Sequence, residues 1–437
     1  MEGVLKAGAG SAIITPLLGS SLAGYFHDRR SVDIHDELTA KAVVMESSGT
    51  RLALVVCDLI CAPREYLDQV KALIHECCGI PPENVMISCT HTHTGPATTG
   101  LLGTLQVEEY WDFAVPRIAD SVQLALRRLS DAELGFGSGS EPHCVFNRRY
   151  LMKDGTVQMN PGRLNPDIVE PVGPTDPELC VLCLRQVGTK QIIAVFANYA
   201  LHYVGGGDNL SVSADYFGEF GRIIQRMLGQ DFVAIMANGC SGDVNNINVY
   251  EKSLPQKPYE QMMKVATMIA AEAVKTISPM SFTHECTLAV ANDFIKAKVR
   301  HPSAEQLARD RKMLAEGDFE NERERVYAQE RLLVAEEPKE ISVQVQAMRI
   351  GDLALVAWPG EIFCQLGLDL KARSPAATTL VVELANDYIG YVPTEAAFQQ
   401  GGYETWLARS AKVAPRTGEA MVESAVNLLK GLFEGRQ

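Results

Sequence analysis

The chain of 437 residues has no surplus of positive charge: 40 Lys and Arg stand against 54 Asp and Glu, a formal net charge of −14. The electrostatic footprint that nucleic acid or an anionic lipid surface demands is therefore missing, and neither is expected as a partner. Long apolar runs are also lacking. Segments such as Leu52–Val56 and Ile192–Phe196 fall far short of a bilayer span, and the opening MEGVLKAGAGSAIITP has no basic stretch followed by a long apolar one. Stable membrane association and export are not expected. Repeats, low-complexity blocks and Pro/Gly/Ser-rich linkers are absent too, which favours one integrated domain over residues 1–437. The 11 cysteines are scattered and odd in number, the usage of reduced thiols in the cytoplasm rather than of a disulfide framework. Cys180 and Cys183 form a CxxC, but LCVLCL reads as a strand, where positions i and i+3 face opposite sides.

With 46% hydrophobic residues, the chain can bury a large core and a deep site within it. One pattern recurs: a short, almost continuous apolar run followed at once by polar or ionisable residues. It appears at LALVVCD (Leu52–Asp58), VMISCTHTH, IIAVFANYALH (Ile192–His202), FVAIMANGCSGD (Phe232–Asp243), LALVAWPGE (Leu353–Glu361) and LVVELANDY (Leu380–Tyr388). Such runs read as central strands buried on both faces. Helical spacing lies between several of them, at Arg64–Cys78, Trp111–Leu129, Asp215–Leu228, Tyr259–Ile277 and Gly418–Phe433. The alternation predicts a layered α/β fold, a mixed β-sheet core flanked by helices, with ligands bound beyond the carboxyl ends of the strands. Pro302–Glu337 is highly charged with helical spacing and reads as a solvated arm, with a lid over the site as the lesser reading.

The stretch VMISCTHTHTGP concentrates the chemistry. In an extended backbone His91 and His93 share one face, with Thr92 on the other, and Gly95-Pro96 stops the strand. Paired imidazoles there suit a divalent metal or, alternatively, a satisfied hydrogen-bonding pair. His202 closes a second run before Gly205-Gly206-Gly207, which permits close backbone approach to a ligand. Glu361 follows Trp358-Pro359-Gly360, where an unpaired buried carboxylate would be costly and a cation would remove the cost. His91, His202 and Glu361 form the two-histidine, one-carboxylate set of catalytic zinc sites, provided that the fold brings them together. Asp215 reads either as a helix N-cap or as a functional acid.

CTHTHTGP, NYALH, SADYFG, ANGCSGDVNNIN, WPGE and DYIGYVPTEAAFQQGGYE resemble, in order, the signature blocks of the neutral/alkaline ceramidase family, from AGAGSAIITP to the last helix. The resemblance implies the catalytic-domain fold of that family and a zinc ion held by His91, His202, Glu361 and Tyr391. It implies His93 as an acid/base or oxyanion-stabilising group and Arg148 as a site arginine. Against these stand a buried hydroxyl for Tyr391, a hydrogen-bonding role for His93 and a structural ion pair for Arg148. His35, Asp58, Asp215 and Asp243 are candidates for outer support of the site. Two departures limit the carry-over. Asn245 stands where the family has a serine implicated in activity, and asparagine donates to an oxyanion but is no nucleophile. The family's C-terminal sandwich domain and a secretory leader are not evident, which argues against a membrane-derived sphingolipid.

The expected function is thus a zinc-dependent hydrolase in which metal-activated water attacks an amide, or an ester or lactone, of a soluble polyhydroxylated or N-acyl small molecule, with Asn245 and Arg148 as further donors. The alternatives are a true ceramidase, a hydrolase of another bond such as a glycosidic one, and a non-catalytic metal- or carbohydrate-binding homologue.

Overall fold

The computed structural model describes residues 3–434. All six apolar runs form strands, and they divide between two sheets stacked face to face. The first has eight strands: β1 (Lys6–Ile13), β2 (Thr39–Ser47), β3 (Thr50–Cys57), β4 (Val85–Cys89), β5 (Ser130–Ser140), β6 (Glu178–Gln186), β7 (Ile192–Tyr199) and β8 (Val233–Asn238), in the order β8-β7-β6-β5-β1-β2-β3-β4. The second has four: β9 (Leu288–Lys298), β10 (Glu340–Ile350), β11 (Leu353–Ala357) and β12 (Thr378–Val382), in that order. Three strand pairs are parallel, β3 with β4, β7 with β8 and β11 with β12, and the remaining neighbours in both sheets are antiparallel.

Residue alternation builds the layers. On β2, Ala40, Ala42 and Val44 join the cluster shared with helices α1 (Arg64–Cys78) and α2 (Glu109–Arg127), whereas Val43 and Met45 point at the second sheet. Their core continues through Phe196 of β7, Ile235 of β8, Met348 of β10 and Leu355 of β11. Helices α3 (Asp215–Leu228) and α4 (Glu260–Ile277) cover β6, β7 and β8 from outside, and Cys364–Arg373 and Thr417–Phe433 cover the second sheet. A strand buried on both faces has no polar side to show, which is why these runs lack alternation in sequence. Cys180 lies in the core between the sheets and Cys183 under the helices, so the CxxC thiols face apart.

The carboxyl ends of the three parallel pairs meet at one edge and are knitted by backbone hydrogen bonds, Cys89 N–H to Leu384 O, Asn386 N–H to Ile87 O, Glu383 N–H to Asn238 O and Gly239 N–H to Tyr199 O. Among the described residues no helix is long and apolar enough to cross a membrane.

The charged stretch after Pro302 departs from its solvated reading. It forms a helical hairpin, α5 (Ala304–Glu316) and α6 (Glu322–Val334), and α6 buries Val326, Tyr327, Ala328, Glu330 and Arg331. Charge misleads here because its buried members are paired: Arg331 donates twice to Asp310, at 2.7 Å through both Nε and Nη2. Asp310→Ala leaves that guanidinium without its counter-charge. Since breaking a buried pair costs about 3–5 kcal/mol, the hairpin should become the first proteolytic cleavage site and the urea midpoint should fall.

Candidate metal centre

β4 ends at Cys89, and the chain leaves it through an irregular turn in which His91 adopts φ 71°. The extended geometry expected for His91 to His93 is therefore not what the structure shows; a left-handed residue, not strand alternation, brings the two rings to 4.8 Å between centroids. Such a conformation costs a non-glycine residue about 1–3 kcal/mol and persists only where the surroundings enforce it. Here His91 N–H bonds to Leu59 O and its Nδ1 to Ile60 O at 2.8 Å. His202, just past β7, stands 4.5 Å from the His91 ring and directs its Nδ1 at Ser241 O, 3.2 Å away. His93 directs its Nδ1 at Gly24 O, 3.0 Å away, and stacks on Tyr203 at 3.7 Å. Gly24 has φ 98°, and a Cβ at that position would run into the His93 ring.

A carbonyl oxygen only accepts, so each of these bonds places a proton on Nδ1, and in a neutral ring the lone pair is then on Nε2. The three imidazoles offer ligand nitrogens within 4.8 Å of one another. Burial pushes His93 and His202 well below the usual imidazole range, which keeps them neutral.

Glu361 enters from the other sheet. Gly360, at φ 114°, turns the chain against Gly390 O, where a side chain would clash, and Glu361 pairs in parallel register with Tyr391. Its Oε1 accepts from Tyr388 Oη at 2.8 Å, and its Oε2 lies 3.3 Å from His91 Nε2 and 3.9 Å from His202 Nε2. Burial opposes its ionisation, yet His91, the Tyr391 hydroxyl and Arg148 hold the carboxyl below its usual range. Oε2 and His93 Nε2 are both buried without a hydrogen-bond partner. Three imidazoles and a carboxylate converging in so small a buried space are suited to sharing a cation. The donor set of neutral imidazoles and one carboxylate fits zinc.

Tyr391 and Arg148 complete the inner wall. Arg148 is buried, donates to Tyr391 Oη at 3.1 Å, to Gly242 O at 2.8 Å and to Glu404 at 2.9 Å, and these neighbours outweigh burial and keep it charged. Glu404 takes Arg149 as well, at 3.0 Å. The cavity beside the histidines is small, about 50 Å3, and is lined by Tyr25, Tyr388, Tyr391, Tyr403, Leu101 and Leu102 among others.

The remaining residues singled out by sequence fall further out. Asp215 does not cap its helix; at φ 56° its carboxylate accepts from Val204 and Gly205 N–H, at 3.0 and 2.7 Å, and so fastens the loop after His202. Asp243 accepts from Asn147 and Cys364 N–H, and burial raises its carboxyl to about 6. Asp58 accepts from Thr39 N–H and Oγ1 and touches no histidine. His35 is a correction: it is exposed, stacked on Tyr259 at 3.7 Å, because its strand lies outside the ring of loops that meet at the histidines. Asn245 is a second: its carboxamide is engaged by Asn160 and by Ile247 N–H, and it is not part of the cavity wall.

Sequence reasoning missed Glu383 and Glu404, both fully buried. Glu383 accepts from Ser241 Oγ and from Ile362 N–H at 2.7 Å, joining the loop whose Ser241 carbonyl faces His202 to the segment that carries Glu361, and burial drives its carboxyl well above the usual range. The signal was present: Glu383 ends an apolar run just as Glu361 does. Glu404 closes the GYVPT block and had no other mark.

The full chain should bind one equivalent of zinc by elemental analysis, and dialysis against a chelator should lower Tm by several degrees, as expected for a ligand that binds only the folded state. His91→Ala and His202→Ala should each lose the ion.

Known proteins share this fold. The family described as neutral/alkaline non-lysosomal ceramidase, N-terminal, matches residues 5–313, a span holding the three histidines but neither Glu361 nor Tyr391. Neutral ceramidase of Pseudomonas aeruginosa is 31% identical over 191 residues, 40% of this chain and only 27% of that relative's length. The crystal structure of neutral ceramidase from Pseudomonas aeruginosa superposes with a TM-score of 0.77 at 21% identity, covering 99% of this chain and 75% of that one. A ceramidase complexed with C2 gives 0.75 at 20% identity, over 99% and 76%.

Proposed function

The chain belongs to the neutral/alkaline non-lysosomal ceramidase family, and on that premise we propose that it is a zinc-dependent hydrolase of an amide bond in a small, soluble N-acyl substrate. The observation that carries the reading is the convergence of three buried histidines whose ligand nitrogens lie within 4.8 Å of one another, with Glu361 Oε2 3.3 Å from His91 Nε2 and 3.9 Å from His202 Nε2. His91, His202, Glu361 and Tyr391 are the residues that would hold the ion. When bound, zinc supplies Lewis acidity toward an amide carbonyl and lowers the pKa of water to about 7.

The chain's own groups do the rest. His93, neutral and with Nε2 free, accepts the proton of the attacking water and returns it to the leaving amine. Arg148, charged and buried, fixes the Tyr391 hydroxyl and adds positive potential on the side where an oxyanion forms. Tyr388 occupies one oxygen of Glu361 and so orients the other. Asn245 donates one N–H to Asn160 and accepts from Ile247 N–H, which fixes its carboxamide beside the site.

The cavity of about 50 Å3 supports a short polar substrate over a true ceramide, because drug-sized ligands take roughly 300–1,000 Å3. A cytoplasmic location is supported by the scattered cysteines, which are buried apart from the exposed Cys77. A second reading assigns His93 to the metal as well, favoured by its place in the same cluster of nitrogens.

His93→Ala separates the two. It should retain zinc while turnover of short N-acyl amides falls by about 10²–10⁴-fold; loss of zinc in this variant would make His93 a ligand instead. Retained turnover would remove it from the reaction altogether. Metal bound with no turnover on N-acyl, lactone or glycoside substrates would favour a binding protein.

A further inference from the structure

One buried carboxylate close to the cavity takes no part in the chemistry above. Glu330, on α6, is 2% exposed and accepts four hydrogen bonds: Leu102 N–H at 2.9 Å, Arg409 N–H at 3.1 Å, Arg409 Nε at 2.9 Å and Arg409 Nη2 at 2.8 Å. Its two partners come from separate segments that border the cavity. Leu102 lines the cavity directly, and Arg409 precedes Ser410, which also lines it and whose carbonyl receives Tyr391 N–H at 2.8 Å. Glu330 thus ties the loop around Leu102 to the segment behind Tyr391.

The tie holds Leu102 in an uncommon backbone conformation, φ 52°, and Gly103 follows at φ 86°, where a Cβ would stand only 3.1 Å from Phe26 O. Uncommon conformations of this kind are kept by an over-determining environment. Aromatic packing supplies it: Tyr327, one turn before Glu330 on α6, lies 6.0 Å from Phe26 and 5.6 Å from Trp406. The Asp310–Arg331 pair braces α6 from the other helix. A wall fastened on so many sides does not yield cheaply to a long chain.

We propose that Glu330, through the Leu101–Leu102 wall that it positions, sets an upper limit on substrate length, so that the site takes amides of short acyl groups, acetyl to about butyryl, and rejects long-chain ones. The cavity accommodates only about three water molecules at roughly 15 Å3 each, the size of space that a short acyl group fills. Glu330 is here a positioning residue. The inference rests on the amidohydrolase reading, whose zinc ligands it does not include.

Calorimetric titration of the zinc-loaded full chain with acetohydroxamate and octanohydroxamate tests it, because the two carry the same chelating head and differ only in the tail. The wild type should bind acetohydroxamate at least ten-fold more tightly. In Leu101→Ala/Leu102→Ala, and separately in Glu330→Ala, the ratio should shift at least ten-fold toward the longer tail. Equal affinities in the wild type, or an unchanged ratio in folded variants of both kinds, would overturn the limit while leaving the hydrolase reading intact. Binding of neither compound would overturn both; a preserved length preference without turnover of any amide would sink the hydrolase reading alone.

Discussion

Three backbone carbonyls decide the state of this site. Ile60, Ser241 and Gly24 each take the Nδ1 proton of one histidine, which leaves Nε2 as the nitrogen of each ring available to the same small space. Glu361 then adds a carboxylate oxygen to a place that already has three lone pairs. Arg148 and His91 offset part of the cost of burying that carboxylate, and a cation among the imidazoles would offset more. The outer residues serve that end: Glu383 fastens the loop that carries the Ser241 carbonyl, Asp215 fastens the loop after His202, and Tyr388 fixes the carboxylate's rotation.

The two stacked sheets explain how residues so distant in sequence meet. Three parallel pairs end at one edge, and parallel strands, unlike hairpins, put their carboxyl ends side by side. The histidines come from the large sheet and Glu361 with Tyr391 from beyond the small one, so the centre straddles the seam between two bodies whose shared core fixes their separation. Close packing makes such a separation hard to alter.

Much of this is legible in the chain itself. The six apolar runs give away their strands because burial on both faces erases polar alternation, and the ionisable residue at the end of each run marks the active edge. The antiparallel strands β1, β5 and β9 are harder to see, since KAGAGSAI and SDAELGFGSGS are rich in glycine and serine and resemble loops until close approach by α2 and α4 is known. His91 and His93 are neighbours, as strand alternation predicts, but for a different reason, because φ at His91 is not readable from residue type. The charged hairpin looks solvated in sequence because composition does not reveal that Asp310, Glu330 and Arg331 find partners. His35 carries no local sign that its strand lies apart.

The left-to-right order of the donors along the chain has a consequence for biosynthesis. His202 leaves the ribosome before Glu361 by roughly ten to thirty seconds at ordinary elongation rates, and His91 and His93 earlier still. Neutral imidazoles tolerate that interval, since nothing charged has yet been enclosed. The late-arriving acid has less latitude: its carboxylate is enclosed between the sheets, and the neighbours that keep it charged, Arg148 and the Tyr391 hydroxyl among them, must be in place when that happens.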